Sequence, residues 1–289
     1  MSGTRGGEGR TGSRVAIVTG AASGIGRALA ETLAANHVEI VLADRQVSLA
    51  DEVAEGIVRR GGAATVVELD VTSDTQFGTV VQETIARTGR LDYLFNNAGI
   101  GVSGEMKDYQ AADWDDVLNV NLRGVAYGVL AAYPVMVRQG FGHIVNTASM
   151  AGLVANGYMG SYVASKHAVV GLSKTLRLEA KEYGVRVSVL CPGAIRTPIL
   201  DGGRYGRMKE ALDMDRWRAL WMRFRPLDPS VLAQKALRGV ERNQAIIIVP
   251  GWWRVLWYLD RLAPALGERL FGAAYQRGKR EILSIRRTT

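Results

Sequence analysis

The sequence predicts an α/β fold: a doubly wound, seven-stranded parallel sheet with helices on both faces, in a single domain. Short β-branched apolar runs alternate with longer segments of helical period, which is the pattern of βαβ units. The alternation continues from residue 14 to residue 250 without a linker. Right-handed crossovers then make a doubly wound sheet the simplest arrangement. The seven runs lie at 15–19, 38–43, 64–69, 91–95, 143–148, 185–190 and 245–249.

Apolar spacing predicts two of the intervening helices. Segment 24–36 follows the first strand and carries one apolar stripe with a four-residue spacing. Segment 159–183 has an apolar flank that includes Leu176 and Leu178, and it ends before Gly184, a residue type that favours a C-cap. The stripe of the first helix is Ile25, Leu29 and Leu33.

Composition and charge exclude several classes of protein. With 289 residues, 47% hydrophobic and 22% charged, the chain can bury a sizeable core, so a disordered or collagen-like protein is excluded. The formal net charge is +8, but residues 15–250 carry only +1 of it, against +2 in 1–14 and +5 in 251–289. A nucleic-acid enzyme spreads basic residues over its binding surface, so we expect no nucleic-acid partner.

The ends of the chain differ from its body. Residues 1–13 are rich in Gly, Ser and Arg and have no apolar core of a signal peptide, so they are interpreted as a disordered leader before a domain at 14–250. A single cysteine, Cys191, excludes internal disulfides, and three scattered histidines predict no metal site. No uninterrupted run reaches the roughly 18 apolar residues of a membrane span. These features predict a cytoplasmic protein.

The first strand runs into the turn Thr-Gly-Ala-Ala-Ser-Gly-Ile-Gly at 19–26, where a helix begins. Glycines at such a turn let the backbone approach a pyrophosphate, which the N–H groups of the helix N-terminus hold. Glycine spacing alone leaves an ordinary tight turn open. The candidate phosphate-binding residues are Gly20, Ser23, Gly24, Ile25 and Gly26.

The second strand ends at Asp44, about 20 residues past the glycines, where a carboxylate can bind the ribose hydroxyls of NAD and repel a 2′-phosphate. Arg45 follows and could, in another rotamer, accept the phosphate of NADP. Alternatively, Asp44 only caps the next helix. NAD is the favoured cofactor and NADP the alternative.

Tyr162 and Lys166 are four residues apart on one predicted helix and therefore share a face. A phenol, with a reference pKa of about 10, is a poor base at neutral pH, and a nearby fixed cation favours its ionised form. The pair suits proton transfer to and from an alcohol oxygen. By itself, this spacing also occurs on ordinary amphipathic helices.

Together with further motifs, these residues resemble the short-chain dehydrogenase/reductase family of the single-domain type, over essentially all of 14–250. The resemblance implies a Rossmann-like fold, an NAD(P)-dependent oxidoreductase acting on alcohols or ketones, and a homo-oligomer, either a dimer or a tetramer. The further motifs are Asn-Asn-Ala-Gly at 96–99, Asn121 in Asn-Val-Asn-Leu-Arg-Gly, Ser149 thirteen residues before Tyr162, and Pro192-Gly193 followed by Thr197.

The resemblance implies roles for four catalytic residues. Tyr162 would be the general acid/base, and Ser149 would hydrogen-bond the reacting oxygen of the substrate. Lys166 would bind the nicotinamide ribose and favour the phenolate, while Asn121 would hold a water that links Lys166 to solvent. Ser165, next to Lys166, receives no catalytic role.

The resemblance also implies further cofactor contacts, from the adenine to the carboxamide. The nicotinamide supplies the hydride chemistry, and the protein supplies orientation and proton transfer. Asp70 and Val71 would contact the adenine. The other implied cofactor residues are Asn97, Ala98, Gly99, Pro192, Gly193, Ile195 and Thr197.

Segment 198–226 is the candidate substrate region. Met214, Trp217 and Trp221 recur there at helical spacing among arginines. They fit a lid helix over an apolar pocket, or alternatively a helix packed on its own domain or on a neighbouring subunit. The apolar stripe predicts a bulky hydrophobic substrate, steroid- or lipid-like. The candidate substrate-binding residues are Ser149, Tyr162, Met214, Trp217 and Trp221.

Segment 251–289 is a basic, tryptophan-rich C-terminal extension. Its apolar stripe lies opposite three arginines and suits an interfacial membrane helix, although Pro264 and Gly267 would interrupt it. Packing against the body or a sister subunit is the slightly preferred alternative to a peripheral membrane contact. The stripe is Trp252, Leu256, Leu259, Leu262, Leu266 and Leu270, and the arginines are Arg254, Arg261 and Arg269.

The leading hypothesis is thus an NAD-dependent enzyme that interconverts a secondary alcohol and a ketone. Two alternatives remain, an NADP-dependent carbonyl reductase and a nucleotide-sensing scaffold without turnover. The intact catalytic motif argues against the scaffold.

Overall fold

The structure is a computed structural model that describes residues 13–201, 205–223 and 225–285. Strands and helices alternate along the chain. The strands are β1 (Arg14–Thr19), β2 (Val38–Asp44), β3 (Ala64–Glu68), β4 (Tyr93–Asn96), β5 (Gly101–Ser103), β6 (Gly142–Thr147), β7 (Val185–Pro192), β8 (Gly206–Met208) and β9 (Ile246–Val249). The helices are α1 (Gly24–Ala35), α2 (Val47–Arg59), α3 (Asp74–Thr88), α4 (Ala111–Leu118), α5 (Gly124–Gln139), α6 (Gly160–Ala180), α7 (Met214–Met222), α8 (Pro229–Glu241), α9 (Trp253–Leu262) and α10 (Pro264–Ser284).

Seven strands form one sheet in the order β3-β2-β1-β4-β6-β7-β9, and every pairing in it is parallel. The predicted doubly wound sheet is confirmed. The chain reverses its direction of winding between β1 and β4, and ligands of such sheets bind at that point, beyond the carboxyl ends of the strands. A small additional sheet pairs β5 with β8, and strands of three residues are too short to leave a pattern in the sequence.

Apolar layers cover both faces of the sheet. On one face, Leu29 and Leu33 of α1 pack with Leu232 of α8. On the other face, Phe77 of α3 packs with Met136 of α5. A strand covered on both sides is mostly apolar, which is why most strand runs of this sequence do not alternate regularly between apolar and polar residues.

The two helices predicted from spacing are present, with one difference. Helix α6 ends at Ala180, and a 3₁₀ turn leads to Gly184, whose φ of 70° is the expected left-handed cap. Leu178 was expected on the apolar flank but is 81% exposed. It lies two residues from the buried Leu176, about 200° around the helix, and therefore points away from the core.

One helical stretch, Ala111–Gln139, has the length and mean hydropathy of a membrane span. The sequence did not indicate it, because its apolar residues do not form one uninterrupted run. Its apolar side chains include Val129, Val135 and Met136, which are buried in the layer over the sheet. The stretch consists of α4, a short π-helical segment and α5, and it belongs to the core of the domain.

The C-terminal extension forms α9 and α10. The interruption expected at Pro264 is present, since α9 ends at Leu262 and α10 begins at Pro264. The one expected at Gly267 is absent: this residue lies inside α10, where a Cβ would come within 2.4 Å of Asp260 Oδ1, so glycine allows the two helices to approach. The predicted leader lies outside the described residues, apart from Ser13.

Candidate active site

The glycine turn joins β1 to α1, and its glycines leave almost no room for side chains. Gly20 and Gly24 have φ values of 65° and 52°, a region that favours glycine. A Cβ on Gly26 would lie 2.0 Å from the Gly20 carbonyl oxygen. The N-cap residue Ser23 makes no capping hydrogen bond through its side chain, which leaves the first N–H groups of α1 available to an anion.

Asp44 ends β2 with a buried carboxylate that is fixed by two backbone donors. Ala22 N–H donates to Oδ2 and Gln46 N–H donates to Oδ1, each at 2.9 Å. The N-cap of α2 is Gln46, so Asp44 does not cap that helix as the alternative interpretation required. The carboxylate instead holds the glycine turn against the end of β2.

Arg45 extends toward Asp70, with 3.7 Å between Nη1 and Oδ2. Burial alone would raise the pKa of Asp70, but hydrogen bonds from Thr72 and the charge of Arg45 outweigh it and lower the pKa. The neighbouring Val71 is buried against Gly124 at the start of α5.

Thr19 ties the ends of β1 and β4 together at the point where the winding reverses. Its Oγ1 accepts hydrogen bonds from the N–H groups of Asn97 and Ala98 at 2.9 and 3.0 Å. The Asn97 side chain donates back to the Thr19 carbonyl at 3.1 Å. The Asn-Asn-Ala-Gly motif therefore lies directly beside the glycine turn.

The Pro192–Thr197 loop approaches the same turn from β7. A Cβ on Gly24 would lie 3.3 Å from Thr197 Cγ2. Gly193 packs under the indole of Trp253, and Ile195 is buried in the layer that contains α1. The structure thus brings the glycine turn, Asn97–Gly99 and Thr197 to one edge of the sheet.

Asn121 is fully buried in a five-residue π-helical segment, Asn119–Arg123, between α4 and α5. Its amide accepts from the N–H of Ile100 and donates to the carbonyl of Ile100, both at 2.9 Å, and also donates to Ser165 Oγ at 3.2 Å. Segments of π-helix concentrate at functional sites.

Ser165, which received no catalytic role from the sequence, connects Asn121 to Tyr162. Its hydroxyl donates to the Tyr162 carbonyl at 2.7 Å while it accepts from the Asn121 amide. Ser165 therefore has the hydrogen bonds of a positioning residue. In the sequence, only its place inside the Tyr-x-x-x-Lys motif could have indicated this.

Lys166 is almost fully buried, and its Nζ donates to the Thr147 carbonyl at 2.9 Å. It lies 5.5 Å from the centroid of the Tyr162 ring. Burial lowers the pKa of Lys166 from 10.5 to about 8. A Cβ on Gly99 would lie 3.4 Å from this ammonium, so the Asn-Asn-Ala-Gly motif at the end of β4 and helix α6 meet at this point.

The pKa of Tyr162 is raised, whereas the sequence analysis expected a nearby cation to lower it. Burial of the phenol is the largest cause, the hydrogen bond with the Ser149 side chain opposes it, and the neighbouring Cys191 adds to the rise. The expectation was wrong in direction because burial, which disfavours the charged phenolate, is the largest influence on this pKa. Cys191 is itself buried, which raises its pKa to about 12 and fits a packing role.

Ser149 follows the end of β6, where its Oγ accepts from the N–H of Ala151 at 3.1 Å. The hydroxyl, the phenol of Tyr162 and the ammonium of Lys166 thus lie together beyond the carboxyl ends of β4, β6 and β7. A hydroxyl, a phenol and an ammonium so placed can hold an alcohol oxygen and exchange a proton with it. Within the described ranges, no group of three or more His, Cys, Asp or Glu residues could hold a metal ion.

The candidate substrate residues lie on α7, which begins at Met214. Trp217 is buried and meets Trp221 edge to face, with 5.7 Å between ring centroids. Two further apolar side chains, Met159 and Ile199, lie near that of Tyr162 around Gly101. A Cβ on Gly101 would lie 3.8 Å from Met159, 3.9 Å from Tyr162 and 4.0 Å from Ile199. Neither residue was predicted from the sequence, because the two lie in separate segments of the chain and form no periodic stripe.

The sequence profile described as "short chain dehydrogenase" matches residues 14–205. The chain is 38% identical to levodione reductase of Leifsonia aquatica over 191 residues, 65% of this chain and 72% of that protein. It is 36% identical to cyclohexanol dehydrogenase of an Acinetobacter species over 189 residues, 65% of this chain and 75% of that protein.

Solved structures share the fold. One is a short-chain dehydrogenase/reductase of Burkholderia phymatum in complex with NAD, with a TM-score of 0.79 and 31% identity, covering 90% of this chain and 96% of that one. Another, from Sphingobium yanoikuyae, is in complex with NADPH, with a TM-score of 0.74 and 28% identity, covering 88% of this chain and 94% of that one.

Proposed function

Because the chain belongs to the short-chain dehydrogenase family and is an oxidoreductase of CH–OH groups, we propose that it interconverts a hydrophobic secondary alcohol and its ketone with NAD. The observation that carries this proposal is the cluster of Tyr162, Ser149 and the buried Lys166, held by Asn121 through Ser165.

The residues of the cleft fit a dinucleotide. The glycine turn leaves no room for a Cβ at Gly26 and presents the first N–H groups of α1, which suits a pyrophosphate. Asp44 would hold the adenosine ribose, and Asn97–Gly99 and Thr197 would border the rest of the cofactor. When bound, nicotinamide accepts or donates the hydride.

The chain's own residues move the proton. In the oxidation direction, Ser149 orients the alcohol oxygen and the phenolate of Tyr162 accepts its proton. The fraction of phenolate grows as the pH rises toward the raised pKa of Tyr162, so alcohol oxidation should accelerate above neutral pH. Ketone reduction requires the protonated phenol, which predominates below that pKa, so reduction should slow only as the pH approaches and passes the raised pKa.

The preference for NAD is proposed from Asp44 and Arg45. A buried, fixed carboxylate repels a 2′-phosphate, and Arg45 is directed to Asp70. The test compares kcat/KM for NAD and NADP in the parent and in Asp44→Asn, which keeps the size of the side chain. We expect the parent to prefer NAD and the variant to narrow that preference; a parent that prefers NADP would favour the carbonyl reductase alternative.

A hydrophobic substrate is proposed because the apolar side chains of Met159 and Ile199 lie near that of Tyr162 at Gly101, and because Trp217 of α7 belongs to the predicted substrate segment 198–226. The test offers NAD with cyclohexanol, larger lipophilic secondary alcohols and 3-hydroxybutyrate, and follows the absorbance of reduced nicotinamide. A higher kcat/KM for the lipophilic alcohols supports the proposal. Turnover of only the charged hydroxy acid would contradict it.

A homo-oligomer, a dimer or tetramer, is also proposed. Leu130 on α5 and Leu178 on α6 are exposed by 69% and 81%, and both helices belong to one layer over the sheet, so the two leucines offer apolar area to a second subunit. Light scattering of the parent and of Leu178→Lys tests this, since the charge should reduce the mass of the species. For location, we propose a cytoplasmic enzyme.

A further inference from the structure

Helix α9 is apolar on two opposite sides. Trp253 and Trp257 face the body and pack beside Val170 and Ile248. On the other side, Val255 and Leu262 are exposed by 69% and 84%. Exposed leucine, valine and aromatic side chains continue along the chain into α10, and we call this set the outer face. The outer face is Trp252, Val255, Tyr258, Leu262, Leu266 and Leu270.

The extension is held on the body at both ends, so the outer face does not belong to a detached tail. Lys279 of α10 pairs with Glu105 at 2.8 Å. The Tyr275 ring lies 5.8 Å from that of Tyr158. At the end of α10, the Ile285 carbonyl accepts from the N–H of Asp213 at 3.0 Å.

These anchors lie beside the catalytic cleft. Tyr158 precedes Met159, which approaches Tyr162 across Gly101. Asp213 is the N-cap of α7, where its side chain accepts from two N–H groups of the first turn. The outer face is therefore carried by an element that packs on Tyr158, just before α6, and on the start of α7.

The charges around the outer face are basic. Arg254, Arg261 and Arg269 are exposed, and Arg261 lies over the Trp257 ring at 5.9 Å. The acidic residue of α9, Asp260, is turned toward Gly267. Glu268 of α10 is two residues from Leu266 and from Leu270, about 200° around the helix, and therefore on the opposite side.

This charge pattern selects between two occupants. A second copy of the chain, related by a two-fold axis, would bring the same arginines together without carboxylates opposite them. An anionic lipid surface supplies the missing negative charge, and tryptophan, tyrosine and leucine side chains between arginines suit the boundary of headgroups and acyl chains. We propose that the outer face docks on an anionic membrane. The proposal goes beyond the enzymatic function and does not depend on turnover.

The test is sedimentation of the full-length protein with phosphatidylcholine vesicles that contain or lack phosphatidylglycerol. We expect the parent to bind the anionic vesicles and to be released by added salt. The double variant Arg254→Gln/Arg269→Gln should bind them roughly 25-fold more weakly, about five-fold per arginine. Val255→Ser/Leu262→Ser should bind at least about ten-fold more weakly, because it loses buried methyl and methylene groups.

Matched controls carry the same changes elsewhere on the surface. Leu49→Ser/Val58→Ser removes an exposed leucine and an exposed valine from α2, and Arg59→Gln/Arg138→Gln removes two exposed arginines. Both controls should bind vesicles as the parent does, and thermal unfolding checks that every variant is folded.

Three results would overturn the proposal. The first is a parent that does not bind the anionic vesicles, and the second is an outer-face variant that binds as well as its matched control. The third is a loss of mass in light scattering for Val255→Ser/Leu262→Ser with unchanged vesicle binding. That result would assign the outer face to a second copy of the chain.

Discussion

Replacing Lys166 by methionine should abolish turnover and yet make the protein more stable at neutral pH. The ammonium is buried, and its Nζ donates to the Thr147 carbonyl. Burial lowers its pKa from 10.5 to about 8, so the folded state holds this charge at a cost. Methionine has a similar length and carries no charge.

The size of the effect follows from the two pKa values. At pH 7 the folded protein binds the Lys166 proton about 3 kcal/mol less favourably than the unfolded chain does, and the methionine variant is free of this cost. The variant also loses the hydrogen bond to the Thr147 carbonyl, which reduces its gain in stability by about 1 kcal/mol. We expect Lys166→Met to be about 2 kcal/mol more stable at pH 7. Between about pH 8 and 10.5 the unfolded chain binds more protons than the folded one, so the stability of the parent rises with pH. The advantage of the variant should therefore shrink by about 1 kcal/mol by pH 9.

Urea unfolding at pH 7 and pH 9 measures both quantities. Lys174→Met, on the exposed side of the same helix, is the matched control and should show no such pH-dependent gap. A Lys166→Met protein that is less stable than the parent at pH 7, or an advantage equal at the two pH values, would refute the reasoning.

Two further predictions concern a buried histidine and the positioning serine. Burial, aided by Arg186 and Arg177, lowers the pKa of His143 from 6.5 to about 3, so the unfolded chain binds a proton first and stability falls as the pH drops from about 6.5 toward 3. In urea unfolding, the parent should lose about 1 kcal/mol of unfolding free energy for each pH unit below 6.5, and His143→Gln should remove this loss. The control His167→Gln, at an exposed histidine, should show the same loss as the parent. Ser165→Ala breaks the link between Asn121 and Tyr162 and should lower kcat about ten-fold with an unchanged KM for NAD. Ser173→Ala, which removes another buried serine of α6, should reduce stability but not kcat; equal losses of kcat in both variants would contradict a positioning role.

The sheet and the main motifs could be predicted because each depends on local sequence. The strand runs are rich in β-branched apolar residues, and Gly20, Gly24 and Gly26 mark a turn that other residues cannot form. Tyr162 and Lys166 share a helix, so their spacing places them together.

The parts that could not be predicted depend on contacts between distant segments. Met159 and Ile199 meet at Gly101 from two loops, and no periodic pattern marks them. The direction of the Tyr162 pKa depends on how deeply the phenol is buried, which spacing does not give. Gly267 in the sequence suggests a helix break, whereas the structure uses it to bring α9 and α10 together.

The most direct test of the proposed function is NAD-dependent oxidation of a lipophilic secondary alcohol by the parent, Tyr162→Phe and Tyr183→Phe. The phenylalanine at 162 keeps the ring and removes the group that exchanges the proton, and Tyr183 is exposed at the end of α6. We predict that Tyr162→Phe lowers kcat at least about 100-fold with NAD binding retained, and that Tyr183→Phe is unchanged. Oxidation by Tyr162→Phe at the parent rate would contradict the mechanism.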